Sequence, residues 1–508
     1  MSSPQSYLGL DSSTQSLSAV LVRVADGCAS VAWEHAIVFD DALPKYGTRH
    51  GVLPSDDPAV AVSPPAMWVD ALEQMLSALA ARGQDLSTLC AISGAAQQHG
   101  SVYLAADGGF SRAVAPIWMD TSTRDECAEI TAALGGAAVV AARTGSRVFE
   151  RFTGPQIRKF SETDPHAYAE TTRVHLVSSF LASQLIGSDA PLEPGDASGM
   201  NLMDLATRAW WPDAVEATAP GLATRLPLIV PADTVIGTVA PHWRTRFGLP
   251  AARVVVWTGD NPSSLIGTGL IEEGRVAVSL GTSDTIFGLM REPRVDIGGT
   301  GHVFGAPTGD FMGITVFKNG SLARERVRDE YGLDWAGVSA ALRSTPPGNH
   351  GRLMLPWFDP EITPDVREPG VHRRELDPAD ASANVRAVVE AQMMAMANHS
   401  AWMGVDVRDI HATGGAAVND DILQVMADVF NARVRRLQVG NSACLGAALR
   451  AWHADAAASG EPLSWHDVTR DLGQPAGRAL TPRPEAVEIY RALRGRYAEF
   501  EKTARGAR

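Results

Sequence analysis

Asp260 and Asn261 follow the apolar run Val254-Val255-Val256-Trp257 and a Thr-Gly stop. A β-branched run of this length reads as a buried strand, and in open α/β sheets ligand chemistry gathers just beyond the carboxyl ends of strands. A carboxylate placed there, next to an amide, has the makings of a general base. Asp260 also suits a helix start, since Asp before Pro262-Ser263-Ser264 is a good N-cap, and this stretch alone leaves both readings open.

Asp11 stands at the mouth of a different device. The strand-like runs Tyr7–Leu10 and Leu17–Val22 flank a turn made almost entirely of hydroxyls, including Ser13 and Thr14. Such a turn can be a solvated loop. It can also be an anion cradle, in which small residues let backbone N–H groups approach while Asp11 holds a metal ion through water. The device recurs at Val276 to Gly288, where Gly281-Thr282-Ser283 joins two alternating runs. Recurrence about half a chain apart predicts two similar domains, each opening with a hairpin, and the two turns together could grip one polyphosphate.

A third group carries polar side chains suited to hydroxyls. Leu89–Ser93 reads as a short buried strand that runs into Gly94 and then Gln97, Gln98 and His99. Pro116 to Asp120 resembles a strand end carrying a carboxylate, and Arg151 lies between Phe149 and Phe152. Stacking alone would make Arg151 a loop anchor, as Arg is between aromatic rings. A polyol site, however, would use this mixture of planar donors and acceptors over an aromatic wall. In the C-terminal half, Asp409–Thr413 reads as a strand ending in Gly414-Gly415; the pair suits close helix–strand packing, and equally a bare backbone on which a flat group such as an adenosine could lie.

The elements that must position these residues are legible as periodicity. Met67 to Ala80 has helical apolar spacing, as do 385–397, with Arg386 and Glu390 four apart, and 420–430. Further elements are expected as a strand at 311–317, a charged helix at 321–331, a strand at 434–439 and a helix start at 441–448. The Pro-, Gly- and Trp-rich stretch 189–250 reads as a lid or subdomain outside the core, and 346–378 as a surface excursion.

Composition narrows the function classes. At 508 residues the chain exceeds one ordinary core, and 45% apolar content supports folded domains. A net charge of −14 argues against non-specific nucleic-acid or anionic-membrane binding, though not against an anionic small substrate held by Mg²⁺ and backbone N–H groups. No run of eighteen apolar residues occurs, and the four cysteines show no metal-knuckle spacing, so a soluble cytoplasmic protein is expected. None of Lys45, Lys159, Lys318 and Lys502 sits in a Walker A loop, and HExxH and GxSxG are absent.

Taken together these stretches resemble the FGGY carbohydrate kinases, of the actin, hexokinase and Hsp70 ATPase superfamily. The resemblance spans Gly9 to Ala448 and rests on GAAQQHG at Gly94–Gly100, TGSRVFERFTG at Thr144–Gly154, WTGDNPSSL at Trp257–Leu265, VSLGTSDT at Val278–Thr285 and ATGGAAVN at Ala412–Asn419. It implies an α/β fold of two ribonuclease-H-like domains, 1–257 mainly for sugar and 258–508 mainly for nucleotide, with a central cleft. It also implies ATP- and Mg²⁺-dependent phosphorylation of a small sugar, D-xylulose, on its terminal O5. By position, Asp260 falls at the family's catalytic base; His99, Arg151 and Asn261, with Gln98 and Asp120, fall on the sugar side. Ser13, Thr14, Gly281, Thr282, Trp335, Gly414, Gly415, Ala416 and Asn419 fall on the ATP side, and Asp11 would hold Mg²⁺ through water. Two other readings stay open: a kinase of the same family for ribulose or glycerol, and a non-enzymatic ATPase module.

Overall fold

The computed structural model describes residues 4–83, 85–437 and 440–506. Its contacts divide the chain into two units, 1–271 with 303–312 and 439–474, and 272–302 with 313–438 and 475–508. Residues 258–271, which carry Asp260, group with the first unit.

The first unit is built on strands β1 (Gln5–Ser12), β2 (Ser16–Ala25), β3 (Cys28–Val38), β4 (Leu89–Ala96), β5 (Val235–Thr238), β6 (Arg253–Val255) and β7 (Thr258–Gly259). Their order is β5-β6-β4-β1-β2-β3, with β7 also pairing β4. β1 to β3 form an antiparallel meander, while β4 runs parallel to β1 and β6 parallel to β4. The register sets the site. Asp11 lies opposite Ala95, which lies opposite Thr258, so β1, β4 and β7 end side by side. Two strand spacings separate Asp11 from the start of the Asp260 helix, roughly 10 Å.

The helix Pro65–Ala81 covers one face of this sheet. Its Met67, Leu72, Met75, Leu76 and Leu79 recur on one side and bury against Leu8, Leu10 and Leu17, which is the amphipathic spacing the sequence shows. The stretch 189–250 is no detached lid. Leu192 and Asp196 are fully buried, and Val239 and Trp243 pack into the same core as Leu8. Pro and Gly there mark tight turns between short core elements, a pattern that composition alone does not distinguish from a loose loop.

The second unit repeats the plan with β8 (Arg275–Leu280), β9 (Asp284–Met290), β10 (Phe311–Phe317), β11 (Asp409–Thr413), β12 (Arg433–Arg436) and β13 (Ala476–Leu480). These run β10-β9-β8-β11-β12-β13, with β8, β11 and β12 parallel. In both units the first two strands lie side by side as a hairpin, with parallel strands on the far side of the first. That is the ribonuclease-H-like arrangement, and it realises the duplication implied by the two hairpins. Residues 438 and 439 of the expected strand lie outside the described residues.

The helix Ala381–His399 crosses the second core. Its Arg386–Glu390 pair, 2.6 Å apart, is buried, and Tyr490 donates to Glu390. The stretch 346–378 is not a surface excursion either. Leu353–Trp357 is a fully buried strand paired with Gly370–Arg374, an apolar run too short to stand out between prolines and charges. Among the described residues no single helix is long and apolar enough to cross a membrane.

Candidate active site

The helix Asp260–Gly267 starts where β7 stops. Gly259 takes the cap position and Asp260 is the first helical residue, so the helix begins two residues before Pro262 and the Asp side chain is not its N-cap. Oδ1 of Asp260 accepts the Asn261 backbone N–H at 2.8 Å and the Asn261 Nδ2 at 3.0 Å. Oδ2 makes no hydrogen bond among the described residues. Burial raises the Asp260 pKa to about 6, against the lowering effect of its backbone hydrogen bonds.

Gln98 orients this group. Its Nε2 donates to the Gly195 carbonyl at 3.3 Å, so its Oε1 must face Asn261, and it accepts from Asn261 Nδ2 at 2.9 Å. The helix itself is pinned from behind. A Cβ on Gly267 would come 1.9 Å from the Ser442 carbonyl, and one on Gly446 1.9 Å from the Ser263 carbonyl. Glycines at both points let the helix Ser442–Ala458 cross at backbone distance, and Ser263 donates to the Ala443 carbonyl at 2.7 Å.

Asp11 has a buried Oδ1 with no partner. Burial and then the charge of Asp260 raise its pKa to about 7. An orphaned, buried carboxylate oxygen under the field of a second carboxylate suits a cation, which would relieve both penalties. Among the described residues no three His, Cys, Asp or Glu side chains converge as a metal site. The fit is therefore to a hard ion such as Mg²⁺, which keeps several waters and needs only one or two carboxylates beside phosphate oxygens.

The hydroxyls of the first turn are largely committed. Ser13 donates to the Ser16 carbonyl at 3.1 Å, and Thr14 donates to Gln97 Oε1 at 3.4 Å while accepting from Trp118 Nε1 at 2.9 Å. Beneath the site a buried polar group braces the strand ends. Glu193 accepts N–H bonds from Gly195 and Asp196 and the hydroxyl of Thr258, and Arg450 donates to the Val256 carbonyl at 2.7 Å.

His99 is buried at the end of β4 with φ of 72°. Its Nδ1 sits 2.7 Å from the Gly199 carbonyl, which can only accept, so Nδ1 carries the proton and Nε2 is left as an acceptor. Burial, with the nearby Arg151 charge, lowers its pKa to about 3 and keeps the ring neutral. Phe152 stacks on the ring at 4.3 Å. The Arg151 guanidinium lies 5.0 Å from the Phe149 ring and stays charged, its pKa lowered by burial only to about 10. Arg151 also lines a cavity of about 280 Å³ with Trp118, Met119 and Phe149. Asp120 is different: its carboxylate accepts from Ala61 N at 3.0 Å, Ser122 N at 3.0 Å and Ser122 Oγ at 2.6 Å, and so holds loops together.

In the second unit, Gly281, Thr282, Trp335, Gly415, Ala416 and Asn419 line one cavity of about 710 Å³. The N–H groups of Gly281 and Thr282 donate to nothing among the described residues, while the Gly281 carbonyl is held by Ser321 N at 2.8 Å. The turn thus meets the N-terminus of the helix Ser321–Glu330, an arrangement that favours anions. Gly414 adopts φ of 87°, and a Cβ there would come 2.5 Å from the Leu280 carbonyl; a Cβ on Gly415 would meet nothing within 4 Å. Asn419 caps the helix Asp420–Phe430 through Asp421 N at 2.9 Å, and donates to Ser339 Oγ at 2.9 Å. Trp335 is 39% exposed, with the Arg328 guanidinium 4.8 Å from its ring.

Sequence reading missed Ser321, Glu325 and Ser339 on the wall of this cavity. Their one signal is helical spacing from the turn, since Glu325 is four residues after Ser321. It also missed the Glu193–Thr258 brace, because 189–250 reads as a loop.

Residues 7–267 match the model of the FGGY family of carbohydrate kinases, N-terminal domain, and residues 276–454 that of the C-terminal domain. The chain is 41% identical to the xylulose kinase of Rattus norvegicus, covering 97% of this chain and 96% of that protein. It is 39% identical to xylulose kinase 2 of Arabidopsis thaliana, covering 88% and 87%. The solved xylulose kinase of Rhodospirillum rubrum superposes with a TM-score of 0.85 over 99% of both chains at 22% identity.

Proposed function

This chain belongs to the FGGY family of carbohydrate kinases, and from that premise we propose that it transfers the γ-phosphoryl group of ATP to O5 of D-xylulose, giving D-xylulose 5-phosphate and ADP. The observation that carries the reading is the Asp260 carboxylate. Its Oδ1 is held by Asn261, its Oδ2 is open, and its pKa near 6 suits a base working near neutrality.

The transition state of phosphoryl transfer is loose, so a kinase chiefly aligns the reactants and balances charge. Asp260 Oδ2 takes the O5 proton as the O5–phosphorus bond forms and the bond to the β,γ-bridging oxygen breaks, releasing ADP. Asn261 and Gln98 hold that carboxylate in place. Neutral His99 accepts a hydroxyl hydrogen bond at Nε2, and Arg151 donates to sugar oxygens above the Phe149 and Phe152 rings. Asp120 keeps the Trp118 loop in position. In the second unit the open N–H groups of Gly281 and Thr282, at the Ser321 helix start, receive phosphate oxygens, and Gly415, Ala416 and Trp335 receive the adenosine. Asp11 would hold Mg²⁺ through water, and that ion supplies neutralisation of phosphate charge.

The test is ADP release across a panel of ketoses and polyols. D-xylulose should give the highest kcat/KM. A preference for ribulose or glycerol would move the substrate assignment within the family, and no stimulation by any sugar would favour a nucleotide-switch module.

A further inference from the structure

On the reading that the Gly281–Thr282 turn receives phosphate oxygens, we infer that Gln392 is a positioning residue for phosphoryl transfer, which ties together from behind the two groups that hold this turn. Gln392 stands in the helix Ala381–His399 and is 7% exposed. With Asp284, Asn319 and Glu361 it lines a separate cavity of about 20 Å³.

The turn is gripped at two points. Ser321 N donates to the Gly281 carbonyl at 2.8 Å, and a Cβ on Gly320 would come 2.7 Å from the Thr282 carbonyl, so residues 320 and 321 lie at backbone distance from the turn. At its other end Asp284, the residue that leaves the turn, is clamped by Arg324, with Nη1 at 2.7 Å and Nη2 at 3.0 Å from its two oxygens and both side chains buried. The peptide between Gly281 and Thr282 is trans, so its N–H points opposite to the carbonyl that Ser321 holds. Fixing that carbonyl fixes the direction of the N–H.

Gln392 joins both grips. Its Nε2 donates to the Asn319 carbonyl at 2.7 Å and the Gly320 carbonyl at 2.9 Å, while its Oε1 accepts from Arg324 Nη1 at 2.8 Å. Two carbonyls on one side and a guanidinium on the other admit only this orientation of the amide. Glu361 fastens the start of the same segment, accepting from Lys318 N at 2.5 Å, Asn319 N at 3.1 Å and Asn319 Nδ2 at 2.9 Å. Gln392 fastens its end, at the glycine that meets the turn. An apolar side chain of the same size would fill the space but remove the donor that these carbonyls share. Because transfer depends on alignment, a small shift of the turn should be felt in the rate.

The experiment compares full-length wild type with Gln392→Met, which keeps the length of the side chain and removes its hydrogen bonds, and Gln392→Glu, which keeps only the acceptor for Arg324. Steady-state kinetics are measured below each variant's melting temperature, and ATP and adenosine are titrated by calorimetry. In both variants kcat should fall roughly 10- to 100-fold, the scale for a misplacement of about 1 Å, with KM for the sugar unchanged. ATP should bind more weakly, while adenosine, which has no phosphate, should bind as it does to wild type. A lower melting temperature with wild-type kcat and ATP affinity would overturn the inference, since Gln392 would then support the fold only. So would equal losses for ATP and adenosine, which mean that the whole cavity has moved, or failure of both variants to fold. Gly281→Val separates this inference from the reading beneath it. If that variant loses ATP affinity and Gln392→Met does not, only the role of Gln392 falls; if Gly281→Val keeps ATP affinity, the phosphate turn itself is wrong and this inference falls with it.

Discussion

Asn261 donates its side-chain amide to Asp260 Oδ1 at 3.0 Å, and the same nitrogen reaches Gln98 Oε1 at 2.9 Å. One oxygen of Asp260 is therefore locked by a partner that is itself locked, and the other is left for a proton. Asp260→Asn keeps an acceptor for Asn261 but cannot take a proton. Sugar and ATP should still bind while kcat falls roughly 10²- to 10⁴-fold, the range for losing a positioned base. Near-wild-type turnover would remove Asp260 from the mechanism.

The pH dependence follows from the same carboxylate. With its pKa raised to about 6 by burial, Asp260 is active as a base only when ionised, so at saturating Mg²⁺, which keeps Asp11 ionised, log kcat/KM should climb with slope one up to about pH 6 and level off above it. His99, held neutral with a pKa near 3, should add no inflection of its own across this range. A rate profile flat from pH 5 to 8 would exclude Asp260 as the titrating group.

Stability should move the opposite way. A carboxyl whose folded pKa is about 6 and whose unfolded value is near 4 binds more protons when folded. Its contribution is fully present below about pH 4 and is lost as pH rises through 6. Asp260→Asn should therefore melt above wild type at pH 8, with the difference shrinking toward pH 4, in thermal scans without nucleotide. An equal difference at both pH values would show that the gain does not come from the buried charge.

How much of this was legible beforehand differs by element. The hairpin around Asp11, the strand that ends near Asp260 and the Gly414-Gly415 turn all carry their signal in a few contiguous residues, and each lies where expected. The 189–250 stretch does not. Its core positions, such as Leu192 and Trp243, are single residues separated by turns, so no period survives to be counted. The commitment of the Thr14 hydroxyl to Gln97 and Trp118 was equally out of reach, since the three residues are up to 104 positions apart and only the sheet brings them together.

The second hairpin is open to a direct test. A Cβ on Gly281 would meet only the Ser283 carbonyl, at 3.3 Å, so Gly281→Val should fold with at most a small local adjustment. The new side chain would crowd the Gly281–Thr282 turn where it lines the cavity. ATP affinity should drop by at least about 10-fold, with the sugar affinity unchanged. Retained ATP binding in calorimetry would dismiss the turn as a phosphate cradle.

Gly414 and Gly415 are adjacent but should fail in different ways. Gly414 holds φ of 87°, and a Cβ would come 2.5 Å from the Leu280 carbonyl, at the end of the strand that leads into the Gly281 turn. Gly414→Ala should therefore cost at least ~1 kcal/mol of stability, from the left-handed backbone alone, and lower the melting temperature. At Gly415 nothing in the chain lies within 4 Å of a Cβ, so Gly415→Val should melt like wild type. Its branched side chain projects into the space assigned to the adenosine, so KM for ATP should rise while KM for the sugar stays put. The pair separates a glycine that the fold requires from one that the ligand requires. If Gly415→Val keeps its ATP KM, the adenosine does not lie against this turn, and the nucleotide side of the assignment would have to move along the cavity.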